Sequence, residues 1–229
     1  MKTEVISLNT GLPESLPYRG REVSTGIRKH PVREPAALLR EGLAGDGQAD
    51  LVHHGGLDKA VCVYPWEHYA FWAKELEQQL GFGAFGENLT LHGLQEASVC
   101  IGDMFRLGTA LVQVSQPRQP CFKLSVRYGR PDLPLLMQET GFTGWYFRVL
   151  EEGRVHAPCP LELTERPSPG WTVSEANRIM HRDTDDMTGT AELLAVPALS
   201  ASWRATLQRR LEGIPTDPAA RLHGSQGLR

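Results

Sequence analysis

The sequence predicts a β-rich α+β fold, with a strand-built main domain over residues 1–166 and a small three-helix unit over 167–229. Three observations carry that prediction. Short β-branched and apolar runs recur between turn residues through the first two thirds of the chain. The 23 glycines and 16 prolines favour many short elements over a few long helices. Past Arg166 the pattern changes from strands to capped helical segments. At 229 residues the chain is long enough for one well-buried domain and a small appendage.

Residues 3–9 read as a strand, followed by a turn at Gly11 and Pro13. A polar segment over 18–35 carries Arg19, Arg21, Arg28, Lys29 and Arg33. Residues 42–59 hold five glycines and little periodicity, a loop system of the length that usually carries function. Residues 60–64 are apolar and β-branched, a buried strand. Pro65 suits the first position of a helix running to about Leu80, in which Trp66, Tyr69, Trp72, Leu76 and Leu80 recur at helical spacing. Those aromatics read as core or interface, and Gly81 and Gly83 stop the helix. Strand patterns follow at 88–91, 98–101, 104–107 and 110–115, with turns at Gly102-Asp103 and Gly108-Thr109. A short helix is expected over 133–139, then strands at 144–150, at Val155 and at 160–164. Pro167-Ser-Pro-Gly170 forms a linker, and Thr172 with Glu175 has the form of a capping box. Helices are expected at 173–181, 189–195 and 200–212, the last capped by Ser200 and stopped by Gly213 and Pro215. The tail beyond Pro215 is expected to be loose, and there are no internal repeats.

Composition excludes several classes. A formal net charge of -3 argues against generic nucleic-acid binding, so any anion site must be a local cluster of Arg and Lys. The first twenty residues lack the apolar stretch of a secretory signal, and no run approaches a membrane span, so the chain reads as cytoplasmic with no membrane partner. Cys62, Cys100, Cys121 and Cys159 lie far apart with no C-x-x-C pair, which leaves nothing for a zinc ribbon or an iron–sulfur cluster. A dinucleotide-binding G-x-G-x-x-G is also missing.

The most informative segment is Val112-Gln-Val-Ser-Gln-Pro-Arg-Gln-Pro-Cys-Phe-Lys-Leu124. A strand runs into Pro117, and a second proline stands immediately before Cys121. Prolines fix their own φ and restrict the residues before them, so the expected product is a stiff loop that presents one thiol. Arg118 and Lys123 flank that thiol, and nearby positive charge favours the thiolate. A lone cysteine is also often a small buried hydrophobe. That reading is kept for Cys62, Cys100 and Cys159, and for Cys121 both readings stand.

The string SQPRQPCFKL closely resembles the cysteine loop of MOSC domains, in particular those of the YiiM type. Further segments match in the same order: Ile27-Arg-Lys29, Gly45-Asp-Gly-Gln-Ala-Asp50, His54-Gly-Gly56, Asp58-Lys-Ala60, Tyr64-Pro, Glu67-His-Tyr69, Phe85-Gly-Glu-Asn-Leu89, Gly102-Asp103 and Gly144-Trp-Tyr-Phe-Arg148. The C-terminal helical patterns are similar to that family's helical extension, so the resemblance covers nearly the whole chain. One departure is Gly47, where the family pattern usually has Glu.

The resemblance implies a MOSC-type β-barrel that holds a molybdenum cofactor (molybdopterin), with Cys121 as catalytic residue and metal ligand. It makes Lys29 and Arg118 candidate contacts to the phosphate or the pterin, followed by Lys123 and Arg148. Asn88 is a candidate amide contact, since its side chain both donates and accepts. Gly55 and Gly56 allow close backbone approach to a ligand, and Gly86 permits a turn. His54 is a candidate proton carrier, and otherwise a loop histidine bonded to its own backbone. Asp46 and Asp50 would orient that loop. For each cation the plain alternative is a solvated surface charge, above all at Lys123.

The activity implied is reduction of N-hydroxylated compounds, including hydroxylaminopurine-type base analogues, as detoxification. Electrons would come from a separate flavoprotein-type reductase, and a homodimer is compatible with the sequence. A second class is a non-enzymatic molybdopterin or sulfur carrier that also uses Cys121. A third is a regulatory module using the C-terminal helices, against which Arg178, Arg182, Arg204, Arg209 and Arg210 alternate with acids.

Overall fold

The structure, a computed structural model, describes residues 3–51 and 53–224. Strand β1 (Glu4–Thr10) is followed by a separate hairpin, β2 (Glu14–Tyr18) and β3 (Arg21–Thr25), of which β3 falls in the segment that the sequence marks only as polar. Short strands β4 (His30–Pro31), β5 (Ala36–Leu39) and β6 (Gly42–Leu43) come next. Strand β7 (Val61–Pro65) leads through a 3-10 turn, Trp66–His68, into helix α1 (Tyr69–Glu75). Strands β8 (Leu89–His92), β9 (Met104–Leu107) and β10 (Ala110–Pro117) precede two helices, α2 (Lys123–Tyr128) and α3 (Leu133–Thr140). Strands β11 (Trp145–Glu151), β12 (Gly153–Val155) and β13 (Cys159–Glu165) complete the main part. Helices α4 (Val173–His181), α5 (Met187–Leu194), α6 (Ala201–Leu211) and α7 (Ala219–His223) end the described chain.

Seven strands close into a barrel in the order β13-β9-β10-β11-β7-β8-β1, with β1 returning to pair with β13. Every pairing around it is antiparallel except β7–β8, whose parallel register requires the long crossover that contains α1. Side chains alternate across the wall. Val61 and Val63 of β7 and Trp145, Phe147 and Val149 of β11 point into the barrel core. Tyr64 points outward into a second apolar cluster with Tyr69, Trp72, Phe85, Leu124 and Met137. On the same face, Cys62 and Tyr146 are cross-strand partners.

The C-terminal helices pack on the barrel through Val173, Ala176, Ile179, Leu193, Trp203 and Leu207, which join the barrel's own apolar cluster. Thr172 caps α4 by accepting the Glu175 N–H at 3.0 Å, but the reciprocal half of the capping box is missing because the Glu175 carboxylate turns to Arg178. Three local expectations are corrected. Pro65 ends a strand, paired with Leu91, so the helix begins later; it stops at Glu75, before Glu77 in the left-handed region (φ 53°). Residues 98–101 form a connection rather than a strand, because their backbone pairs with the linker into α4: Ile101 N–H donates to Trp171 O and Val99 O accepts from Val173. Residues 219–223 of the tail form α7, and the expectation for residues 225–229 lies outside the described residues. Among the described residues no helix is long and apolar enough to cross a membrane.

Candidate functional site

A cleft of about 600 Å3 of empty space, mouth included, lies outside the β7–β11 wall of the barrel. Its lining comes from the barrel wall and four further segments. The end of the β2–β3 hairpin supplies Gly26, Ile27 and Lys29; the glycine-rich loop supplies Gly47, Asp50, His54 and Lys59. The turn before β8 supplies Phe85, Gly86 and Asn88, and the segment after β10 supplies Arg118, Cys121 and Lys123. Cys62 and Tyr146 form part of the wall itself. The backbones pack closely here: a Cβ on Gly26 would stand 2.3 Å from the Gly47 carbonyl oxygen. Gly47 itself, the departure from the family pattern, has no room for a side chain, since its Cβ would meet Pro13 Cδ at 2.9 Å.

Cys121 sits at the turn between β10 and α2, and the N–H of Lys123 points at its thiol. His54 Nε2 lies 3.2 Å from Cys121 Sγ. Burial pushes the Cys121 thiol above its ordinary range and outweighs the Lys123 N–H and the cations Arg118, Lys123 and Arg221, which pull the other way. Burial therefore favours the neutral thiol, and the flanking cations, which favour the thiolate as the sequence suggests, offset it only in part. Burial also drives His54 down to about 4, against the attraction of Asp50 and with the help of Lys59, Arg118 and Lys123. The imidazole is neutral near pH 7, and its buried Nδ1 has no partner.

The cations differ in what they already hold. Lys29 Nζ is paired with Asp46, whose carboxylate also accepts from Gly11 N–H at 3.0 Å and Asn88 Nδ2 at 2.9 Å. Asn88 is engaged at both ends, its Oδ1 accepting the Cys62 N–H at 3.0 Å. Lys123 Nζ donates to Ser24 O at 2.6 Å and lies over the Phe122 ring. Arg118 is 6% exposed, and its buried Nη1 has no partner. Asp50 accepts from the His53 N–H and ring, which shapes the loop ahead of His54.

Of the residues singled out in the sequence, Cys121, His54, Lys29, Arg118, Asn88, Asp50 and Lys123 line this cleft. Gly55 and Gly56 are not in the lining. Arg148 lies elsewhere: its Nη2 pairs with Asp58 at 2.8 Å and its Nη1 donates to Gln113, so it braces β11 against the 3-10 turn Leu57–Lys59. Cys62, Lys59 and Tyr146 line the cleft without having been singled out. Strand alternation carried the missing signal for two of them, because an inward Val61, Val63 and Phe147 place Cys62 and Tyr146 together on the outer face.

The MOSC domain family matches residues 50–162, and the YiiM-like 3-alpha helix domain matches residues 171–213. The chain is 54% identical over 210 residues to the uncharacterized protein YflK of Bacillus subtilis, covering 92% of this chain and 95% of that protein. Its fold superposes on the crystal structure of YiiM from Escherichia coli with TM-score 0.80 and 39% identity, over 97% of this chain and 99% of that one. The chain belongs to the YiiM-type branch of the MOSC family. A more distant relative, named a reductase, from Gibberella moniliformis is 35% identical over 182 residues, which are 78% of this chain but 32% of that protein. MOSC domains are generally associated with molybdenum-cofactor binding. The MOSC match spans His54, Asn88, Arg118 and Cys121, whereas the Lys29–Asp46 pair lies before it and α7 lies beyond both matches.

Proposed function

We propose that this chain is a molybdenum-cofactor-dependent reductase of N-hydroxylated compounds, hydroxylaminopurine-type base analogues among them, serving detoxification. The observation that carries the reading is the pairing, in one cleft, of a buried thiol 3.2 Å from a histidine nitrogen with a buried guanidinium N–H that has no partner. The residues fit the group. A soft sulfur ligand suits molybdenum, and an unpartnered arginine N–H suits a pterin phosphate. Among the described residues no cluster of three or more His, Cys, Asp or Glu could hold a metal, so the remaining ligands would come with the cofactor. The distant relative named a reductase agrees with the chemical class.

When bound, the cofactor would supply the two-electron chemistry that converts R–NHOH, with two protons, to R–NH2 and water. Cys121 would hold it as a thiolate, its proton released on metal binding, and the neutral His54 ring stands within hydrogen-bond reach of the sulfur. Arg118 would meet the phosphate through its free N–H. The Lys29–Asp46–Asn88 network fixes the cleft wall and leaves Lys29 a secondary contact. Burial keeps bulk water from Cys121, which is 7% exposed. Electrons would come from a separate flavoprotein.

Molybdenum and pterin content of wild type and Cys121→Ala, both purified from a cofactor-replete host, tests the site. Stoichiometric metal in wild type and its loss in the variant are expected. Loaded wild type should reduce an N-hydroxylated purine with reduced viologen as donor, and should be inert with NADPH alone. Loaded protein that stays inert with viologen would make the chain a cofactor carrier, and wild type that takes up no metal would end the reading.

A further inference from the structure

The segment after Gly213 returns to the cysteine loop. The Phe122 N–H donates to the Arg221 carbonyl at 2.8 Å, one residue beyond Cys121. The Arg221 guanidinium bonds on both sides of that point: Nη1 donates to the carbonyl of Pro120, and Nη2 donates to Gln138 Oε1 on α3 at 2.6 Å. Leu222 is buried, and a Cβ on Gly224 would lie 3.3 Å from the Phe122 ring. The residues on either side of Cys121 are thus held by one residue of the tail. Neither bond belongs to the barrel or to helices α4–α6.

A loop with two prolines is stiff within itself, but its carbonyls and N–H groups still need partners. Without the tail, the Pro120 carbonyl and the Phe122 N–H would lose these partners, and the thiol between them would lose its fixed direction. Gln138 carries the clamp onward to α3, whose Met137 lies in the outer apolar cluster.

We infer that Arg221 is a positioning residue for Cys121 and that α7 is a clasp that completes the cleft. The clasp sets how rarely the cysteine loop opens. It deepens the reading above, on which it depends only for what Cys121 is held to bind. The clasp itself is testable in the metal-free full chain.

The test is the rate of alkylation by iodoacetamide at each cysteine, read by mass spectrometry, with the Phe122 amide exchange rate beside it. Cys159, on the barrel strand β13, reports general unfolding. Arg221→Ala removes two side-chain hydrogen bonds, so Cys121 should react on the order of 5- to 30-fold faster while Cys159 is unchanged. Phe122 amide exchange should rise with it. Arg221→Lys keeps one donor and should recover most of the wild-type rate. Should Arg221→Ala not fold, Gln138→Ala, which removes only the α3 partner, is read by the same two rates and should give a smaller rise of the same selectivity. A Cys121 rate within twofold of wild type overturns the inference, and so does a rise shared equally by Cys159. Molybdenum content plays no part in this readout, so failure of the clasp and failure of the cofactor reading are distinguishable.

Discussion

Glu87 and Arg118 are both buried charges beside the cleft, and they differ in how completely their hydrogen bonds are met. Glu87 is wholly buried, and its carboxylate accepts from Gly83 N–H at 3.0 Å, Phe85 N–H at 2.9 Å, Thr90 Oγ1 at 3.0 Å and the Tyr69 hydroxyl. It ties the turn before β8 to α1 and is finished as it stands. Arg118 is nearly as buried but keeps an unpartnered N–H at the cleft wall. A satisfied buried charge is complete as architecture, whereas an unsatisfied one against an open space calls for a partner, which under the proposed function is the cofactor phosphate.

The largest expected effect breaks the satisfied member. Glu87→Ala strands four buried donors, and urea unfolding should show a loss of about 3 kcal/mol or more. A loss under about 1 kcal/mol would mean that the turn re-satisfies itself and that Glu87 is not its anchor. Arg118→Met should behave in the opposite way. The metal-free protein should keep its stability to within about 1 kcal/mol or gain, because an incompletely paired buried cation is removed. Cofactor retention should fall about ten- to hundredfold, the loss of one charged hydrogen bond. If Arg118→Met costs about 3 kcal/mol or more in unfolding free energy while cofactor retention is unchanged, the contrast between the two residues is wrong.

How far this contrast was legible in the sequence depends on the residue. Cys121 stood out because two prolines and two cations surround it, and His54 because two glycines follow it. The barrel strands were legible where apolar alternation is strong, and β9 falls on the expected residues. The β2–β3 hairpin was not legible, since most of its outward residues are polar and its buried residues are only Leu16, Val23 and the polar Thr25. Cys62 and Tyr146 have residue types common in cores, and only their pairing across two strands shows that they share the cleft wall. Arg148 looked like a binding cation because the sequence does not reveal that Asp58 already holds it. The clasp was illegible for a similar reason: nothing near Arg221 in the chain names Pro120 or Gln138 as its partners.

Unpartnered buried atoms away from any opening sharpen the same comparison. His181 Nε2, on α4, has no partner, and its ring lies edge-on to Trp203 at 6.2 Å. Burial drives its pKa down to about 3, with Arg221 and Arg210 adding to the shift. The folded state therefore keeps this ring neutral, while the unfolded chain takes up a proton below about 6.5. The contribution is intact above that value and is lost progressively as pH falls towards 3, which amounts to about 2 kcal/mol at pH 5. His181→Phe should abolish that part of the difference between unfolding free energies at pH 7 and pH 5, whatever its packing offset at pH 7. An unchanged difference would assign the acid sensitivity elsewhere, with His54 the next group to examine.

The smallest effect concerns the wall itself. Gly47 lines the cleft, donates its N–H to Gly11 O at 3.0 Å and offers its carbonyl close to Gly26, so its backbone is fixed from both sides. A methyl group there meets the ring of Pro13, which cannot swing aside as a long side chain would. Gly47→Ala should therefore cost about 1 kcal/mol in unfolding free energy, the low end of overpacking. Any drop in cofactor retention should be much smaller than for Arg118→Met, since no polar partner is lost. Gly47→Glu, which restores the residue usual in the family pattern, meets the same ring and should be no better tolerated. If Gly47→Glu is as stable as wild type, Pro13 and its turn must yield. The cleft wall would then be adaptable on the hairpin side, and its rigidity would rest on the Glu87 side alone.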